Sequence, residues 1–400
     1  MAIDPAQYWR RNLYVCLFGS FTTLAAMTLL LPFLPAYVEE LGGGSPQAVI
    51  QWSGVAFAIT FFGAGLMAPV WGKVADRYGR KVVLVRASLC MAITMSLIGV
   101  AQSVGQLVAL RLLAGLLGGY SSGAVVLVAT QTPRERAGWA LGTLSVGAMA
   151  GNLTGPLIGG LLPGLIGIRA TFFLAGGVIF VAFVATLTLV REVPRVRAPL
   201  PPGSKAGTWA ALPDWRPVVA MLATAMLLMF ANMSIEPIIS VYVGSLVPPG
   251  GNVTLISGVV MSASAFGSML AASRLGRLAD RVGAWTVVIG CLAATGLLLI
   301  PQAFVTAAWQ LIVLRFLMGV ALAGLLPSVN ATIRLNAPDR VMGTVLGYAV
   351  SAQFAGQVAG PLVGGLIGAH VGLRAVFGVT STLMLAGALG NWWVRRRHAR

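Results

Sequence analysis

The sequence predicts an all-α integral membrane protein, with twelve transmembrane helices arranged as two pseudo-symmetric six-helix bundles. Three observations predict it. Of 400 residues, 58% are apolar and 9% charged, and the mean hydropathy is +0.88, a composition outside the range of water-soluble domains. Apolar stretches of about 20 residues, the length that crosses a bilayer as helix, recur twelve times along the chain. Finally, Gly72-Lys-Val-Ala-Asp76-Arg77-Tyr-Gly79-Arg80-Lys81 returns 204 positions later as Gly276-Arg-Leu-Ala-Asp280-Arg281-Val-Gly283, each time between two apolar stretches. The same offset of 204 or 205 joins Pro32, Tyr37 and Leu41 to Pro237, Tyr242 and Leu246, Arg111 to Arg315, Pro133 to Pro338, and Arg169 to Arg374. So long a period exceeds any solenoid repeat, and the unit copied is therefore a bundle. Two parallel halves related by an axis along the membrane normal are a recurring design of membrane transporters, with the substrate site near the midplane.

The spans follow in order. Residues 13 to 38 form the first; Arg10 and Arg11 precede it without a small-residue cleavage site, which predicts a retained helix and not a signal peptide. Glu39 and Glu40 stand at its outer mouth as a solvated face. Residues 49 to 72 and 82 to 102 form the second and third. Between them Gly72 and Gly79 permit a tight turn, Asp76 supplies an anion for a helix N-terminus or a basic side chain, and Arg77, Arg80 and Lys81 hold the loop at the lipid surface. The fourth span, 105 to 130, carries Arg111. The fifth, 135 to 161, carries Gly147, Gly151 and Gly155 four residues apart, then Pro156, Gly159 and Gly160, which together make a smooth helix face with a bend. The sixth covers 168 to 190. Residues 191 to 216, rich in Pro and Arg, form a flexible linker between an N-terminal bundle, 1–190, and a C-terminal bundle, 217–400. The second set runs 217 to 243 with Glu236-Pro237, 253 to 276, 284 to 304, 308 to 333 with Arg315, 340 to 368, and 373 to 394. Its eleventh span repeats the glycine face as Gly356, Gly360, Pro361, Gly364 and Gly365.

The net charge of +17 is placed for topology. Of 27 Lys and Arg, 23 fall at the N-terminus, the even-to-odd connections, the linker and the C-terminal Arg395-Arg396-Arg397. By the positive-inside rule both termini and the linker are cytoplasmic, and no nucleic-acid partner is needed to explain the charge. Cys16, Cys90 and Cys291 sit in separate apolar segments without ligand spacing and are read as core residues, so no metal and no cofactor is expected. Gly119-X-Ser121-X-Gly123 matches a nucleophile-elbow string but lies inside an apolar helix, and His370 and His398 occupy loop and tail positions. There is no phosphate-cradling loop for an ATP-driven pump. The chain is read as a non-enzyme.

A charged group at bilayer depth costs about 2.5 kcal/mol or more on insertion scales, so each one inside a span is a functional candidate. Glu236 is the only carboxylate well inside an apolar segment, and it is read either as a proton carrier and docking point for cationic compounds or as half of a fixed ion pair with Arg315 or Arg111. Pro237 frees the carbonyl of Met233 and softens the helix beside it. Arg111 and Arg315, about two turns from their helix ends, are read as coupling residues or as arginines that snorkel or bond carbonyls.

The repeated loop at Gly72, Asp76, Arg77, Gly79 and Arg80 resembles the signature loop of the major facilitator superfamily, with a degenerate copy at Gly276, Asp280, Arg281 and Gly283 that has Ala284-Trp285 in place of Arg80-Lys81. The run Gly147 to Gly160 resembles the antiporter motif of the bacterial drug/proton branch, in which that helix is taken to seal the bundle against leak. Arg111-Leu-Leu-Ala-Gly115-Leu-Leu-Gly-Gly119 resembles the fourth-helix arginine motif that the family assigns to proton coupling, with Arg315 and Gly319 as its counterpart. Many members of the branch carry an acid in the middle of helix one, and this chain has none there.

The resemblance covers essentially the whole chain. It implies a multi-pass bacterial inner-membrane transporter that exchanges inward protons for outward movement of a small amphipathic substrate by alternating access; a monomer is expected. It further implies a latch between Asp76 and either Arg136 or the eleventh helix near Arg340. Pseudo-symmetry nominates a substrate pocket of Phe21, Met27, Tyr120 and Asn152 from the first half. The second half adds Met229, Asn232, Met233, Phe266, Asn330, Tyr348, Gln353, Phe354 and Gln357, residue types that adapt to varied apolar ligands. Transport of one specific metabolite, or an uncoupled lipid transporter or membrane sensor, remain the alternatives.

Overall fold

A computed structural model describes residues 8–192 and 212–398, so most of the expected linker, 193–211, lies outside the described residues. Twelve helices are long and apolar enough to cross a membrane. They are α1 (Trp9–Glu40), α2 (Pro46–Tyr78), α3 (Arg80–Ile98), α4 (Val104–Gln131), α5 (Glu135–Ile166), α6 (Ile168–Leu189), α7 (Arg216–Gly244), α8 (Val253–Val282), α9 (Ala284–Gln302), α10 (Ala308–Asn336), α11 (Val341–His370) and α12 (Leu373–Arg397). The described residues contain no strand.

The breaks between helices fall where backbone chemistry demands them. Gly79 and Gly283, with φ of 97° and 90°, end α2 and α8, and Gly167 and Gly372, with φ of 84° and 122°, stand just before α6 and α12. Only glycine takes that region without cost. The signature loops are consequently shorter than the sequence suggested. Gly72 to Tyr78 and Gly276 to Val282 continue α2 and α8 as helix, because nothing stops the turn-by-turn hydrogen bonding until Gly79 and Gly283. Gly72 is therefore not a turn residue, and a Cβ there would meet nothing.

Three spans are interrupted. In α1 a three-ten turn at Leu31–Phe33, which contains Pro32 and is followed by Pro35, separates two helical pieces. In α4 the chain leaves helix at Gly118 and Gly119, the latter left-handed at φ 101°. In α10 the corresponding interruption falls at Ala323 and Gly324.

The packing divides into two compact units. The first holds α1, α2 from Ile59 onward, α3 to α6, and Thr254–Ser262 of α8; the second holds Ser45–Ala58 at the start of α2, α7, the rest of α8, and α9 to α12. Within the first unit α5 lies along α1, and a Cβ on Gly151 would stand 2.6 Å from the Phe21 carbonyl oxygen. Gly155 and Gly159 meet Ala25 and Leu29 in the same way. Within the second unit α11 lies along α7, where Gly356, Gly360 and Gly364 press on Met226, Phe230 and Ser234. Small residues allow this backbone approach where lipid offers no hydrophobic drive for helix association.

Matching locks hold the C-terminal ends of α1 and α7. The Tyr37 hydroxyl donates to the Ile98 carbonyl and the Tyr242 hydroxyl to that of Gln302, at 2.5 and 2.8 Å. The rings tilt on Phe172 and Phe377 at centroid distances of 5.2 and 5.1 Å. Each half thus repeats its aromatic contact as well as its sequence. The segment exchange repeats too. In the second unit Gly54 of α2 admits the Pro361 carbonyl, and in the first Gly258 of α8 admits that of Pro156, with Ser262 Oγ donating to the Leu153 carbonyl at 2.8 Å.

Candidate functional site

Glu236 sits two-thirds of the way along α7, next to the helix-interior Pro237. Its side chain is half-buried, and its Oε2 is buried with no hydrogen-bond partner among the described residues. On α10 in the same unit, Arg315 is 1% exposed, and its Nη1 donates to Met318 Sδ at 3.8 Å. No ion pair within 4.0 Å joins the two among the described residues. Of the two sequence readings of Glu236, a fixed ion pair with Arg315 is absent. Glu236 thus has a buried carboxyl oxygen in the same unit as a buried cation, Arg315, that does not pair with it. Arg111, the counterpart on α4, is fully buried at 0% exposure in the first unit.

The signature loop is a built structure in its first copy. Arg80 Nη2 pairs with Asp76 Oδ1 at 3.1 Å, one helical turn away across Gly79. Glu192, just past the end of α6, accepts the backbone N–H of Arg80 at 2.9 Å and of Lys81 at 2.8 Å. A carboxylate on the first N–H groups of a helix both satisfies orphan donors and complements the dipole. Asn12 then holds the neighbouring peptide, donating from Nδ2 to the Arg191 carbonyl at 2.7 Å and accepting the Arg191 N–H at 3.1 Å. Asp76 pairs within its own motif; Arg136 is exposed at the start of α5, and the side chain of Arg340 lies outside the described residues.

The second copy keeps only the backbone. Gly283 turns as Gly79 does, but Asp280 and Arg281 are exposed and unpaired among the described residues, and Ala284 has no charge to offer. Trp285 instead donates from Nε1 to the Asn391 carbonyl at 3.1 Å and fastens α9 to α12.

The residues nominated for a pocket fall into different surroundings. Tyr120, the first residue beyond the α4 break, is 3% exposed, hydrogen-bonded to Thr186 Oγ1 at 2.8 Å and packed on Gly19, so it belongs to the core of the first unit. Phe21 and Met27 are half-buried on α1, and Asn152 is exposed on α5. In the second unit Met229, Asn232 and Met233 are half-buried on α7 beside Glu236, and Gln353, Phe354 and Gln357 are half-buried on α11. Phe266 of α8 is exposed and tilts on Phe316 at 6.0 Å, and Tyr348 is exposed on α11. A cavity of about 420 Å³ opens beside α10, lined by Pro327, Asn330, Ala331, Arg334 and Leu335.

Two functional candidates escaped the sequence reading. Arg86, not singled out there, lies on α3, stacks on the Trp71 ring at 3.3 Å and donates to the Gly118 carbonyl at 3.0 Å. It thereby fills an acceptor that the α4 break leaves unused; its place six residues inside α3 was the available signal. Glu192 is the other, an acid directly after the sixth span whose partner lies 112 residues away.

Twelve spanning helices in a duplicated arrangement, with interrupted helices and buried ionisable side chains at corresponding places, define a membrane transporter of the secondary class. The chain belongs to the Major Facilitator Superfamily, whose family model matches residues 16–249 and 250–400. It is 43% identical over 391 residues to the multidrug resistance protein MdtG of Serratia proteamaculans, covering 97% of this chain and 95% of that one. It is likewise 43% identical over 394 residues to MdtG of Salmonella typhimurium, covering 97% and 96%. Among solved structures, a bacterial homologue of the human lysosomal transporter Spinster superposes with a TM-score of 0.79 at 15% identity, covering 97% of both chains. The POT family transporter PepTSo does so at 0.77 and 12%, covering 97% and 98%. At those identities the likeness is one of fold.

Proposed function

We propose that the protein is a proton-coupled secondary transporter that exports small amphipathic compounds by alternating access from a bacterial inner membrane, with both termini in the cytoplasm. Full-length kinship with multidrug resistance proteins supports the export of drugs. The observation that carries the coupling is Glu236, whose Oε2 is buried with no hydrogen-bond partner among the described residues, in the same unit as the buried Arg315. A carboxyl group so placed changes its interaction with Arg315 whenever it gains or loses a proton, and that difference is what biases a two-state bundle. Half-buried Met229, Met233 and Asn232 on the same helix supply adaptable contacts for the compound. The Asp76–Arg80 pair and the Glu192 cap hold the signature loop in one arrangement. No catalytic step belongs to this reading, and the transporter works as a monomer.

A second reading, movement of one specific polar metabolite, is favoured by Asn330 and Arg334 on the α10 cavity. Inside-out membrane vesicles with an acid interior separate the two. Addition of several unrelated amphipathic cations should dissipate the pH gradient in vesicles containing the wild type and not in those containing Glu236→Gln. If none of them does, multidrug exchange is wrong and the specific-metabolite reading gains.

A further inference from the structure

The degenerate second signature loop has lost the acid–base pairing of the first and gained arginines. Arg274, Arg277 and Arg281 follow one another at intervals of three and four along the last two turns of α8, which places them on one face. Together with Leu278 they line a cavity of about 170 Å³. Arg274 Nη1 and Arg277 Nε reach only their own helix, to the Leu270 and Ser273 carbonyls at 3.4 and 3.5 Å. None of the three forms an ion pair among the described residues, although the exposed Asp280 is a chain neighbour of Arg281. In the first copy the equivalent positions are Val70, Lys73 and Arg77, beside an Asp76–Arg80 pair and the Glu192 carboxylate. Three guanidinium groups around one cavity without an acid leave up to fifteen N–H donors of planar fork geometry, the pattern that suits phosphate oxygens, of which only two are spent on the helix itself.

Their depth says which phosphate. A 30-residue helix is about 45 Å long against a hydrocarbon core of about 30 Å, so the last turns of α8 emerge at headgroup level. The same face exposes Leu270 and Leu278, and Val282 follows at the helix end, which gives acyl chains an apolar surface under the charged cluster. We infer that the arginine face of α8 is a binding site for the headgroup phosphate of an anionic phospholipid, seated with its chains against Leu270 and Leu278. The inference rests on the membrane-spanning fold and not on the substrate or the coupling ion.

Native mass spectrometry of the purified full-length protein, equilibrated with phosphatidylglycerol and phosphatidylcholine, tests it. The wild type should retain phosphatidylglycerol in preference to phosphatidylcholine, and the preference should fall as salt is raised. Each arginine contributes about five-fold, so Arg277→Gln should weaken retention by about that factor and the Arg274→Gln, Arg277→Gln, Arg281→Gln triple variant by about a hundred-fold. Substitution of Arg395, Arg396 and Arg397 by Gln removes the same charge elsewhere and should leave retention unchanged. Equal loss in the two triple variants, a preference insensitive to salt, or displacement of the lipid by soluble glycerol phosphate at the same concentration would each overturn the assignment. All three arginines are exposed and free of ion pairs among the described residues, so the variants should fold, which a monodisperse elution profile checks.

Discussion

Tyr37 and Tyr242 put the same hydroxyl on the same kind of acceptor in the two halves, the carbonyl at the end of the third helix of each bundle. Replacing either with Phe keeps the ring on Phe172 or Phe377 and removes only the hydrogen bond. Such bonds between membrane helices average about 0.6 kcal/mol, so the cost should be small and nearly equal at the two sites in thermal unfolding. A several-fold larger effect at one site would mean that the two locks are not equivalent. Glu192 and Arg86 show at this scale why sequence reading stops where it does. Each is chemically ordinary, and its role is fixed by a partner that local pattern does not name: the α3 N-terminus for one, and the Gly118 carbonyl with the Trp71 face for the other.

At the scale of elements, the glycine faces of α5 and α11 were legible because spacing by four marks one side of a helix. Their partners, α1 and α7, were not named by it. Gly151→Leu and Gly356→Leu force a side chain into the Phe21 and Met226 backbones, and overpacking of this kind costs about 1–3 kcal/mol or more. Both variants should lose thermal stability together, whereas Gly142→Leu, which meets nothing within 4 Å, should not. The helix ends give a sharper pair. Alanine at Gly79 or Gly283 must adopt a positive-φ extended backbone that is nearly restricted to glycine, at about 1–3 kcal/mol. Gly79→Ala also drives its Cβ to 2.8 Å from Glu192 Oε2, while the nearest atom at Gly283 is Thr286 Oγ1 at 3.9 Å. Gly79→Ala should therefore be the more damaging of the two, and Glu192→Ala should remove the difference. The extents of α2 and α8 were misread for a related reason: the charged turns from 72 and 276 onward look like loop by hydropathy, but backbone geometry ends the helix only at the next positive φ.

For the whole molecule, duplication was the most legible property. An offset of 204 or 205 that matched Tyr37 to Tyr242 and Gly155 to Gly360 in sequence also matches their contacts in three dimensions. The exchange of Ser45–Ala58 and Thr254–Ser262 between units was not legible, since it depends on glycines meeting carbonyls of distant prolines. Charge asymmetry carries the proposed orientation: a fluorescent protein that matures only in the cytoplasm should be visible when fused after Arg400. Duplication also throws the difference between halves into relief, for the carboxylate of α7 has no counterpart at position 31 or 32 of α1, where Leu31 and Pro32 stand.

That single asymmetric acid is the centre of the account, and proteoliposomes holding purified protein, with a pH gradient imposed in either direction, test it most directly. The account predicts that a fluorescent amphipathic cation moves opposite to the protons, reverses with the gradient, and fails to do so in Glu236→Gln although that variant still binds the dye. Dye movement in the same direction as the protons, movement indifferent to the gradient, or undiminished exchange by Glu236→Gln would contradict it.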